Sequence, residues 1–196
     1  MITINNELRD KAYNCAVAHG WHKDKIFFTT ELMLVITEVA EAVNADRKGK
    51  HVPDSNKDAF LRNNALQSKY TPEVFKRNFE IFIKDSVEDE LADVVIRVLD
   101  MAGNHNVNLD EGIHFYILSE DDIKAAKCND FATLCYGLCA MIGHYPGCNS
   151  CQMLLPLILQ ELDYIVQIYH VDIDFFVEQK MKYNELREYK HGGKKY

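Results

Sequence analysis

No stretch of this sequence approaches the ~20 consecutive apolar residues that a membrane-spanning helix requires. The opening MITINNELRD is polar and lacks the apolar core of a signal peptide, which predicts a cytoplasmic protein. Basic residues are in short supply: 22 Lys and Arg face 30 Asp and Glu, for a net charge of -8. That balance argues against non-specific nucleic-acid binding, where a basic stripe is expected. A nucleotide substrate stays compatible with it, because a metal ion can neutralise phosphates locally. A glycine-rich phosphate loop, GxxxxGK followed by Ser or Thr, is absent. So is any convincing alternation of apolar and polar residues over strand length. His22, His51 and His191 have no partner at a zinc-like spacing and read as exposed loop residues.

What the chain does have is an ordinary globular composition, 47% hydrophobic and 27% charged over 196 residues. That length makes one substantial domain or two small ones. Six cysteines in a cytosolic chain are expected to be reduced. Cys148-Asn-Ser-Cys151 is a CxxC, and with Cys135 and Cys139 it offers one reading as a zinc tetrathiolate. Cys135 and Cys139 fall inside the apolar run FATLCYGLCAMI, however, where small buried hydrophobes serve equally well.

Helical periodicity runs through most of the sequence. A first helix fits Asn5 to His19 and ends at Gly20; a second, capped by Thr29 or Thr30, continues to Arg47. A polar stretch from Lys48 to Tyr70 contains a short helix near Lys57 to Gln67. Pro72, at a first helical position, opens a helix to Ile83. Asp85 and Glu88 suggest a capping box for a helix ending near Gly103. The fold class expected is all-α.

Two carboxylate pairs stand out within this frame. Glu38 and Glu41 lie in TEVAEAV, and Glu90 and Asp93 in EDELADVVIRVLD, each pair spaced i, i+3 on one helix face. Leu32, Val35, Ile36, Val39 and Val43 surround the first pair; Leu91, Val94, Val95, Val98 and Leu99 surround the second. Both helices therefore bury a broad apolar face with acids at its edge. Ser86, Glu90, Asp93, Arg97 and Asp100 form a polar stripe beside that face. Four carboxylates gathered between two packed helices repel one another, and burying them unpaired is costly. A hard divalent cation resolves the conflict. Mg²⁺ takes oxygen ligands and keeps coordination positions for water and phosphate.

The second half reads as a worn copy of the first. Val107-Asn-Leu-Asp110 matches Val171-Asp-Ile-Asp174, and YGLCAMI lies over TEVAEAV. In these registers Glu38 faces Gly137, Glu41 faces Ala140, Glu90 faces Leu154 and Asp93 faces Leu157. Apolar positions persist where the acids vanish, so only the first half, residues 1–112, is expected to hold metal. Residues 113–196 would pack against it as a degenerate unit within one compact fold.

The pairs Glu38-Val-Ala-Glu41 and Glu90-Leu-Ala-Asp93 resemble the ExxE and ExxD signature of the MazG-like all-α nucleotide pyrophosphohydrolases. The flanking text LVITEVAEAVNADRKGKH and FIKDSVEDELADVVIRVLDMA is similar to a small-domain branch of that superfamily, as is the closing KMKYNELREYKHGGKKY. The resemblance covers about Gly20 to Asp110 and Lys180 to Tyr196. It implies a helical bundle of the MazG-like or dimeric dUTPase-like type, as a homodimer or an internal pseudo-dimer. It implies Mg²⁺, with Mn²⁺ as a substitute, and hydrolysis of (deoxy)nucleoside triphosphates to monophosphate and pyrophosphate. Carried over, Glu38, Glu41, Glu90 and Asp93 would be metal ligands, with Glu38 or Glu41 the better guess for general base.

Cations should complete such a site. Lys180, Asn184 and Arg187 share a helical i, i+4, i+7 face, and Lys194 follows Gly192-Gly193. These are the expected phosphate-binding residues. Lys84 and Arg47 are weaker candidates, Glu88 and Asp100 are candidates for supporting the ligands, and Trp21, Phe27 and Phe28 could stack on a base. The departure from the short members is that tail and acids lie in different halves. On that reading, removing residues 180–196 impairs triphosphate binding while leaving the helices folded. The rival reading is a non-catalytic metal- or nucleotide-binding helical assembly module; another is hydrolysis of a modified or phage-related nucleotide.

Overall fold

The computed structural model describes residues 2–65, 71–111, 115–144 and 151–193. Among them every regular element is a helix: α1 (Asn6–Ala18), α2 (Phe28–Arg47), α3 (Asp54–Ala65), α4 (Pro72–Phe82), α5 (Val87–Asn104), α6 (Glu120–Ala126), α7 (Phe131–Gly143), α8 (Cys151–Ile168), α9 (Ile173–Glu185) and a short α10 (Lys190–Gly193). None is long and apolar enough to cross a membrane.

Most starts are capped locally. Asn5 accepts the Leu8 N–H at 2.8 Å, Asp130 accepts that of Thr133 at 2.7 Å, and Ser119 and Asp122 form a reciprocal capping box. Helix α3 begins at Asp54 rather than near Lys57, and two expected caps differ. Neither Thr29 nor Thr30 caps α2, because the Phe27 carbonyl already accepts the Thr30 and Glu31 N–H groups, so the helix begins at Phe28. The cap of α5 is Ser86, whose hydroxyl accepts the Asp89 N–H at 3.1 Å, while Asp89 in turn accepts the Asp85 N–H at 2.9 Å. The box is thus one residue out of the expected register, with Asp85 at a φ of 58°.

Helix α5 organises the rest. It packs against α1, α2, α8 and α9, and it is buried on nearly every side rather than along one stripe. Helices α2, α5, α8 and α7 form a closed ring: α2 on α5, α5 on α8, α8 on α7 and α7 on α2. Helices α1 and α9 cover α5, α6 covers α8, and the α3–α4 pair leans on α9. Val35, Val94, Val98, Leu138, Leu155 and Leu159 are among the fully buried side chains of the shared core.

Helices α5 and α8 of the ring end alike. Asn106 after α5 and His170 after α8 adopt left-handed φ values of 51° and 55°. The next amides, of Val107 and Val171, turn back to the carbonyls of Ala102 and Val166 at 2.8 and 2.9 Å. Asp110 then binds the Asn6 amide, and Asp174 binds that of Thr3, both at 2.8 Å. The VNLD and VDID segments therefore do the same work at two places: each closes a helix and anchors the N-terminal segment.

Gly103 sets the separation of α1 from α5. A Cβ built there would fall 2.4 Å from the Tyr13 Cβ, which cannot swing away as a side-chain tip can. Gly103→Ala should therefore destabilise the protein by about 1–3 kcal/mol, although alanine is the better helix former. Urea denaturation of the variant measures this, and an unchanged or higher midpoint would show that the α1–α5 contact yields freely.

Candidate metal centre

Helices α1, α2, α5 and α9 and the loops beside them line a single cavity of about 290 Å³. Helix α2 contributes Glu38 and Glu41, α5 contributes Glu90, Asp93, Arg97 and Asp100, and α9 contributes Lys180 and Asn184. Arg187 follows just after α9, and Trp21 stands in the loop before α2. The four expected acids, Lys180, Asn184, Arg187 and Trp21 thus line one space, whereas Lys194 lies outside the described residues.

The acids do not all converge equally. Oxygens of Glu38, Glu90 and Asp93 lie within 4.8 Å of one another, close enough to share an ion. Glu41 lines the same cavity but is exposed and outside that group, so the expected four-carboxylate focus is three with a fourth at the rim. The cause is helical rotation: Val39 and Ala42 turn into the core and carry Glu41 outward. Glu38 is held by Arg97, whose Nη2 donates to Oε1 at 2.8 Å. Burial first, and then the neighbouring Asp93, push the Glu38 carboxyl above its usual range despite that arginine.

Glu90 is the most strained charge of the set. It is 7% exposed, and among the described residues it has no ion-pair partner. Its pKa is pushed up to about 8, chiefly by burial and then by Asp89 and Asp93, with Lys180 opposing. Nearby, the Lys180 ammonium lies 2.7 Å from both Asp89 Oδ1 and Asp93 Oδ2, with Lys180 and Asp89 both buried. Asp89 itself is raised to about 6, burial outweighing the lysine.

Asn184 is 8% exposed, and its Oδ1 is buried with no hydrogen-bond partner, although the residue lines the cavity. Buried acceptors are rarely left so in native proteins. The donor set nearest the acids is all carboxylate oxygen, which suits a hard ion such as Mg²⁺ or Mn²⁺. The residues present therefore fit such an ion: a clustered, partly desolvated trio, one member of which, Glu90, makes no ion pair among the described residues.

Other expectations fare differently. Glu88 faces away from the cavity, accepting the Val52 N–H at 3.0 Å with His51 at 3.5 Å, so it holds the loop before α3. Asp100 lines the cavity and binds His22 Nε2 at 2.6 Å, which raises the His22 pKa and makes His22 a partly buried partner rather than a loose loop residue. Lys84 reaches the cavity wall but pairs with Asp85; Arg47 does not line it. Trp21 stands in the wall between this cavity and a second one of about 300 Å³. Phe27 is 82% exposed and Phe28 packs edge-on against His105, so neither reaches the site. Cys135 is buried in the core with its thiol pushed up to about 12 by burial, and Cys139 packs against that core. Cys148 lies outside the described residues.

Lys180, Met181, Tyr183 and Asn184 are buried in α9. Removing residues 180–196 would strip the core, so the expectation of an intact fold fails for that cut. Past α9 the chain is fastened to the loop before α2: the Lys190 N–H donates to the His19 carbonyl at 3.0 Å, and Tyr189 fills the space a Cβ on Gly20 would need.

The sequence signalled Glu38, Glu90 and Asp93 by spacing, and Arg97 by its place in the polar stripe. Asp89 carried no such signal, because it sits in the acid-rich EDE triplet that reads equally well as a solvated first turn. Compared with known protein families, with characterised proteins and with solved structures, the chain matches none.

Glu90 holds its proton to about pH 8 in the fold against 4.5 for the ordinary carboxyl. Between those values the folded state binds more protons than the unfolded one, so stability falls as pH rises. In EDTA, urea midpoints should drop across this interval. Glu90→Gln should flatten the drop above about pH 6, where Asp89 has already titrated. A variant midpoint falling as steeply as the parent's would overturn the assignment.

Proposed function

We propose that this chain is a Mg²⁺-dependent pyrophosphohydrolase that cleaves nucleoside triphosphates to monophosphate and pyrophosphate. The observation that carries the reading is the meeting of Glu38, Glu90 and Asp93 in a cavity that Lys180, Asn184 and Arg187 also line. Acids and cations lining one cavity suit a metal–polyphosphate ligand better than either alone.

Glu38, Glu90 and Asp93 would hold the ion, which when bound neutralises phosphate oxygens and lowers the pKa of a water. Arg97 keeps the Glu38 carboxylate aimed inward. Glu41, exposed at the rim and outside the ligand trio, is the better candidate to take the proton of an attacking water at the α-phosphorus. Arg187 offers a bidentate fork to the phosphates. Trp21, between the two cavities, offers a face for a base.

We further read residues 113–196 as a degenerate copy of the MazG-like unit, making the ring of α2, α5, α7 and α8 an internal pseudo-dimer. Support comes from the matched left-handed endings of α5 and α8 and from the parallel roles of Asp110 and Asp174. Position for position the copy has lost its acids: Gly137, Ala140, Leu154 and Leu157 stand where the ligands would be. Helix α9 then belongs to the second unit and serves the first unit's site.

The test is release of pyrophosphate from a panel of ribo-, deoxyribo- and modified nucleoside triphosphates, with Mg²⁺ and with EDTA. Turnover should require Mg²⁺, and Glu90→Gln should lower kcat/KM at least about 100-fold. Tight metal-dependent nucleotide binding without turnover for any member of the panel would instead mark a sensing or assembly module.

A further inference from the structure

Lys180 was expected to hold phosphate, yet its ammonium is already engaged. Nζ lies 2.7 Å from Asp89 Oδ1 and 2.7 Å from Asp93 Oδ2, and it stands 5.7 Å from the centre of the Phe79 ring. The two acids are one helical turn apart on α5, so the lysine bridges them along the helix. They differ in what else surrounds them. Asp89 is 1% exposed and its second oxygen accepts the Asp85 N–H, so it is fixed on both sides. Asp93 is 22% exposed, faces the cavity and belongs to the carboxylate trio with Glu38 and Glu90.

We propose that Lys180 is an interlock between metal and polyphosphate: its ammonium holds Asp93 until a divalent ion binds, and the ion takes Asp93 from it. This deepens the pyrophosphohydrolase reading and rests on it. The physical ground is that two cations compete for one carboxylate. An ion among Glu38, Glu90 and Asp93 brings a double positive charge against an ammonium that now touches the same Asp93, in a partly desolvated space where repulsion is weakly screened. Asp89 remains as the ammonium's tether. Rotation of the lysine side chain about that tether turns Nζ toward the cavity that Arg187 and Asn184 also line.

Binding is then ordered. Without the ion, Lys180 is spent on the two aspartates and the trio repels phosphate; with it, most of the trio's charge is offset and the lysine is released to a phosphate oxygen. The ion creates the anion site that it also serves.

The interlock separates from simple positioning by the sign of one effect. Mn²⁺ is titrated calorimetrically into the whole chain without nucleotide, and inorganic tripolyphosphate is then titrated into the Mn²⁺-loaded protein. Lys180→Met removes the competing charge while keeping the stem, and the Asp89→Asn/Lys180→Met pair also removes the buried partner charge. Both variants should bind Mn²⁺ about tenfold more tightly and then bind tripolyphosphate about tenfold more weakly than the parent. Circular dichroism checks folding; if the single variant does not fold, the pair carries the comparison. Mn²⁺ affinity that is unchanged or weaker in the folded variants would overturn the interlock and leave Lys180 as a brace that orients Asp93. A parent protein that binds no Mn²⁺ at all would overturn the metal centre itself, and the hydrolase reading with it.

Discussion

The Asp89–Lys180–Asp93 bridge is the interaction on which the rest depends. Helix α5 runs through the middle of the fold while carrying Asp89, Glu90 and Asp93 in consecutive turns. A helix so placed should be apolar all round. Its acids are tolerated because α9 lays one buried ammonium between two of them. Removing one partner of a buried ion pair typically destabilises by several kcal/mol, since the survivor is left charged in a poor solvent. Glu90 makes no ion pair among the described residues, and its raised pKa expresses that deficit, with Lys180 offsetting only part of it. The deficit is local, faces a cavity, and has the sign that a metal ion would correct.

The packing around α5 follows from the same need. Tyr183 stacks on Phe79 with ring centres 4.4 Å apart, which fixes α9 against α4 one turn beyond Lys180. Gly103 lets α1 close on the other end of α5, and α1 brings its following loop, with Trp21, to the cavity. The stretch after α9 is stitched back to that loop through His19, Gly20 and Lys190. Acids, cations and aromatic wall thus come from segments far apart in sequence yet are held by short local contacts.

Much of this was legible in the residues. The i, i+3 acid pairs at the edge of apolar faces marked the two helices that meet, and the i, i+4, i+7 spacing of Lys180, Asn184 and Arg187 marked the third wall. Helical class followed from periodicity, and the VNLD and VDID repeats marked two equivalent helix ends. What was not legible depended on rotation and on partners. Spacing could not tell that Glu41 turns to the rim, because i, i+3 neighbours differ by 60° around the axis. Nor could it tell that Lys180 is consumed by Asp89, since a lysine near a basic tail looks like a solvated one until its neighbours are placed. Thr29 and Thr30 looked like caps because composition does not reveal which carbonyl the first amides find. Glu88 was misjudged for the same reason: its use lies in the loop at Val52, not in the helix it starts.

The two ends of the central bridge, Asp89 and Lys180, are separated by 91 positions. During synthesis α5 leaves the ribosome well before α9 exists, and for that interval its acids have no ammonium to meet. A helix in that condition gains little by burying itself, since collapse around unpaired carboxylates is opposed. Completing the core around α5 thus requires closing a contact between residues far apart in sequence, the kind of long-range closure that slows folding.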